Sequence, residues 1–126
     1  MIEAFAALAG GAGAAARFVV DGAFTAFVDH RGGSVLPWAT TLINVTGSFA
    51  LGVVVGLVTV GGAPSAATLI VGTGFLGGYT TFSTASFETV RLARQGRWRA
   101  AGVHLAVMVS GTLVAAAAGL SLVAAV

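Results

Sequence analysis

Gly72–Glu88 reads GTGFLGGYTTFSTASFE. An apolar stretch runs into the glycine pair Gly77–Gly78. Six residues that are hydroxyl-bearing or aromatic follow in a row, Tyr79 to Thr84, and Glu88 closes the segment as the sole acid of the second half of the chain. Glycine and clustered hydroxyls weaken a helix and release backbone carbonyls. In lipid, irregular backbone survives only where protein or a polar cavity satisfies it. The segment therefore predicts a helix broken near Gly77–Thr81 that lines an ion site.

The rest of the chain supplies the membrane setting. Of 126 residues, 57% are hydrophobic and 8% charged, and mean hydropathy is +1.00. A water-soluble domain carries roughly a quarter charged residues, so this composition predicts an integral membrane protein of one domain, residues 1–126. Four apolar runs, Ile2–Val28, Pro37–Val60, Ala66–Val90 and Ala100–Val126, each reach the about 20 residues needed to cross the hydrocarbon core. The expected fold is all-α, with four transmembrane helices joined by short connectors. With no cysteine, disulfides and thiolate metal sites are excluded. The net charge of +2 belongs to a chain that cannot dissolve, so nucleic acid is not expected as a partner. The N-terminus has no basic region and no cleavage pattern, and no removable signal peptide is expected.

Small residues mark where helices approach. The Ala9–Ala16 run and the Gly52/Gly56 spacing suit either packing within the chain or a subunit interface. Arg17 and Asp21, four apart, share a helix face deep in the first span. They fit either a functional pair facing a cavity or a self-neutralising one. Thr40, Asn44 and Ser48 form a stripe of polar groups along the second span. Asn44 must find a partner in hydrocarbon. We read Thr40 and Asn44 as pore-facing donors, with interhelical bonding of Asn44 as the plainer alternative. On the fourth span His104, Met108 and Thr112 share a face, and a satisfied interhelical histidine is the first expectation for His104, ahead of a proton relay.

Several motifs carry nothing. Gly72-x-Gly74-x-x-Gly77 lies in a membrane span with no following acid and is not a dinucleotide fingerprint. The sequon at Asn44–Thr46 is mid-membrane. No paired carboxylates, nucleophile triad or phosphate loop are present, so an enzyme is not expected. Arginine placement is more telling. Loops 1–2 and 3–4 hold Arg31, Arg91, Arg94, Arg97 and Arg99, while the other side holds no Lys or Arg. This predicts that those two loops are cytoplasmic and both termini external, in a plasma or inner membrane.

Taken together, Gly10-Gly11…Arg17, Pro37…Thr40…Asn44…Gly47-Ser48 and Gly74–Thr84…Glu88 resemble the Fluc (CrcB-type) fluoride channel family. The resemblance covers nearly the whole chain, and the third motif is highly specific. It implies an antiparallel dimer of four-helix subunits with two fluoride paths. It implies a structural Na⁺ held by backbone carbonyls of Gly77 and Thr80. Pore roles are implied for Asn44, Phe82, Ser83, Thr84 and a helix-four track here represented by His104 and Thr112, and a vestibule role for Arg17. The physics agrees: fluoride's hydration shell must be replaced by amide, hydroxyl and aromatic-edge donors.

The chain departs from the family pattern in three places. Ala85 stands where a second phenylalanine is usual, and His104 and Met108 stand where a tyrosine and a small hydroxyl residue are usual. With the one-sided arginines, these departures lead us to expect a heterodimer with an oppositely oriented homologue in which one pore is degraded. Two other functions stay open: a non-conducting subunit that stabilises its partner, and a small proton-coupled exporter. An exporter would need a carboxylate deep in the first span, where Asp21 is matched by Arg17.

Overall fold

The computed structural model describes residues 1–125; Val126, the end of the fourth apolar run, lies outside them. Helix α1 spans Ile2–His30, α2 Trp38–Thr59 and α5 Trp98–Ala124. All three are long and apolar enough to cross a membrane. At 29 residues, α1 is about 44 Å long and overshoots the hydrocarbon core of about 30 Å. It ends just past its apolar run, where the Arg31 guanidinium sits over the Phe27 ring, 4.4 Å from its centre.

The remaining crossing is assembled from pieces. A π-helical segment, Thr68–Leu76, passes into one α-turn, α3 at Gly77–Tyr79; after a break, α4 runs from Phe82 to Arg94. The two extended residues are Thr80 (ψ 164°) and Thr81 (φ −151°, ψ 116°). The break thus falls within the expected stretch but at the threonines, because Gly77 and Gly78 keep helical geometry. The π widening has no signal in the sequence. The turn after α4 needs only Gln95–Arg97, with Gly96 at φ +75°. It is shorter than the Arg91–Arg99 connector that hydropathy suggests, because arginine-rich ends continue the helices on both sides.

Packing divides the molecule into two tight pairs. Helix α2 lies mainly against α5, and α1 lies mainly against the π-helical segment and α3. Both contacts are made by glycine. A Cβ at Gly13 would stand 2.0 Å from the Phe75 carbonyl oxygen, and one at Gly78 2.1 Å from that of Gly10. In the second pair, a Cβ at Gly52 would stand 2.1 Å from the Ala116 oxygen, and one at Gly119 2.2 Å from that of Phe49. Backbone thus touches backbone across each seam, as small residues permit in lipid. The Gly13 and Gly52 seams are therefore packing within the chain, the plainer of the two sequence-based readings.

Candidate functional site

The site is built on the break. Interrupting a helix leaves N–H and C=O groups without partners, which in a membrane costs several kcal/mol for each unsatisfied group. Asn44, buried in the second turn of α2, answers this. Its Oδ1 accepts from the Thr81 N–H at 2.8 Å, and its Nδ2 donates to the Thr81 and Thr40 carbonyls, each at 3.0 Å. Both amide hydrogens are thus engaged by backbone. The Thr81 hydroxyl then caps α4 by accepting from the Thr84 N–H at 3.2 Å, a contact of about 1 kcal/mol.

These bonds redirect two donors. In an unbroken α-helix the Thr81 N–H would pair with the Gly77 carbonyl and the Thr84 N–H with the Thr80 carbonyl. Here they go to Asn44 Oδ1 and Thr81 Oγ1. Gly77 is also exposed, and a Cβ there would meet nothing within 4 Å beyond its own helix. Two carbonyls deprived of their helical donors fit a hard cation, which prefers oxygen ligands. No cluster of three or more His, Cys, Asp or Glu side chains suited to a metal occurs among the described residues.

Two cavities flank the break. One, of about 410 Å³, is bordered by Asn44, Thr80, Phe82, Met108 and Thr112. Phe82 is 86% exposed, so its ring stands clear of its own chain. Ala85 and Met108, the positions departing from the family pattern, are buried in the same wall. The Thr112 hydroxyl is bonded within its own helix, to the Met108 carbonyl at 2.7 Å. The other cavity, of about 420 Å³, brings together Arg17, Asp21, Thr40, Ser83 and Thr84. Arg17 and Asp21 form no ion pair within 4 Å there. Thr81 borders both cavities.

His104 borders neither cavity. It is buried against Glu88, Nε2 to Oε2 3.8 Å, and the other Glu88 oxygen accepts from the Thr40 hydroxyl at 3.0 Å. The polar stripe on α2 thus faces the third crossing: Thr40 meets Glu88, Asn44 meets the break, and Ser48 borders the Phe82 cavity. Glu88 and Thr81 were absent from the sequence-derived site. A lone acid in an apolar chain was the available signal for Glu88. Thr81 had none to set it apart from Thr80.

Residues 4–120 match the family described as "CrcB-like protein, Camphor Resistance (CrcB)". The chain is 55% identical over 95 residues to the "Fluoride-specific ion channel FluC 1" of Leifsonia xyli subsp. xyli, covering 75% of this chain and 66% of that one. It is 40% identical over 125 residues to the "Fluoride-specific ion channel FluC" of Sphingopyxis alaskensis, covering 98% and 96%. It is 42% identical over 118 residues to the "Fluoride-specific ion channel FluC 1" of Symbiobacterium thermophilum, covering 91% of each. With the family match reaching from the first turn of α1 almost to the end of α5, the chain belongs to the CrcB family.

Proposed function

We propose that this chain is a subunit of a fluoride-selective channel through which the anion leaves the cytoplasm passively, and that it is not an enzyme. The observation that carries the reading is the helix break held by Asn44, with Phe82 and Thr112 at the cavity on one side and Arg17, Thr40, Ser83 and Thr84 at that on the other. The names of the relatives support fluoride as the ion. Asn44 contributes by fixing the wall of the path and Phe82 by its free ring edge. Gly77 and Thr80 would hold a structural Na⁺ through their carbonyls.

In this reading the subunit pairs, antiparallel, with an oppositely oriented homologue, and one of the two paths is degraded. The support is the arginine bias and the identities of Ala85, His104 and Met108. The test is fluoride efflux from liposomes, measured with an ion-selective electrode. The chain together with such a partner should release fluoride without a proton gradient, which an exporter would require. Strong efflux from this chain alone would refute obligate pairing. Ala85 and Met108, filling the cavity wall, favour a second reading in which this subunit only supports its partner. Unchanged efflux after Phe82→Ile in the pair would favour that reading.

Sidedness follows from the same placement of arginines. The chain has no cysteine, so single cysteines report cleanly. Gln95→Cys should react with an impermeant maleimide only from the cytoplasmic face, and Ser65→Cys, at an exposed position between the second and third crossings, only from outside. Equal labelling of both sites from outside intact cells would show dual insertion.

A further inference from the structure

Glu88 Oε2 and His104 Nε2 are both sealed from solvent and neither has a hydrogen-bond partner, although they face each other across 3.8 Å. His104 is 2% exposed. The gap exceeds the about 2.9 Å typical of an N–H···O bond. It is also too short to seat a water in line, since two bonds of about 2.8 Å at a tetrahedral angle span about 4.6 Å. With the imidazole proton on Nδ1, toward the Ala85 backbone, Nε2 and the carboxylate oxygen are two opposed acceptors. One further proton, carried by either atom, turns them into a hydrogen bond after a small approach of the side chains.

We propose that Glu88 and His104 form one shared proton-binding site, whose occupancy decides whether a bare carboxylate or a neutralised pair stands behind Thr40, next to the anion path. The second half of the statement rests on the channel reading above; the first does not. The surroundings suit a charge-sensitive position. Glu88 borders a third cavity, of about 230 Å³, with Asp21 and Asp29 from α1 and Arg91 one turn along α4. Thr40 of α2, which donates to Glu88, borders the Arg17 cavity, and Ala85 and Met108 border the Phe82 cavity. Glu88 thus borders the third cavity directly, and its neighbours Thr40, Ala85 and Met108 border the other two. The proton is taken from water on the cavity side, and its uptake removes one negative charge from the path of an anion.

The test uses the full chain in lipid nanodiscs, with His30→Gln leaving one imidazole and ¹⁵N-histidine labelling to follow it. The His104 resonances should titrate, and Glu88→Gln should displace their midpoint by about one pH unit or more. Glu88→Asp, which draws the carboxylate back by one methylene, should give a smaller displacement and serves if Glu88→Gln does not fold. A midpoint unmoved by either variant overturns the shared site. In efflux assays with equal pH on both sides, the conducting pair should change its rate about tenfold between mildly acidic and mildly alkaline buffer, and His104→Gln should flatten that dependence. A flat wild-type profile overturns the gating half of the proposal. Absence of efflux at every pH would sink the channel reading instead, and the imidazole titration would still decide the proton site.

Discussion

Alanine at Gly13, Gly78, Gly52 or Gly119 is expected to prevent stable folding, whereas alanine at Gly11 or Gly102 is expected to be tolerated. The contrast follows from what a new methyl would meet. At the first four positions it would stand 2.0 to 2.2 Å from a backbone oxygen of the facing helix. Backbone cannot swing aside as a side chain can, so the helices must separate along the seam. Overpacking of a close contact typically costs about 1–3 kcal/mol, and a rigid partner puts these at the upper end. At Gly11 and Gly102 nothing lies within 4 Å, and alanine is the better helix former by about 1 kcal/mol. Thermal unfolding in detergent, followed by monodispersity, is the measurement. Equal tolerance at all six sites would show that the seams are looser than described. Loss at Gly11 alone would instead mark that surface as a contact between subunits.

The second large effect is expected at Asn44. Asn44→Ala strips partners from the Thr81 N–H and C=O together, at about 1–3 kcal/mol for each buried group left unpaired. Asn44→Asp should be no better. It keeps an acceptor for the N–H but turns an oxygen toward the Thr81 and Thr40 carbonyls that Nδ2 now serves. Both variants should lower the unfolding midpoint in fluoride-free buffer, and both should reduce efflux by the conducting pair about tenfold or more. The stability readout separates a clamp from a group that only touches the ion. If Asn44→Ala lost efflux yet melted like the wild type without fluoride, the clamp would be refuted.

What could be read in the chain beforehand followed the strength of the local signals. Hydropathy gave four crossings because hydrophobic length is set by the bilayer. The glycine pair and the hydroxyl run gave an interrupted third crossing because those residues weaken a helix. The missing parts were settled by contacts distant in sequence. Thr80 and Thr81 became the extended residues, in place of the glycines, because Asn44, 37 positions earlier, bonds Thr81 from both sides. His104 faces Glu88 and lines neither cavity beside the break, and Thr40 bonds the same carboxylate from α2, a convergence of three helices that no periodicity encodes. The Thr40–Asn44–Ser48 stripe was legible as a stripe; which group each member meets was not.

Asn44 precedes Thr81 in the chain, so α2 has left the ribosome before the interrupted segment emerges. The amide that quenches the open turn is already waiting on α2, and the loose peptide groups need never face acyl chains unaccompanied. A rearranged gene encoding the third crossing ahead of α2 would deliver the same residues in the wrong sequence of events, and its product should be lost to quality-control proteolysis even though every final contact remained available.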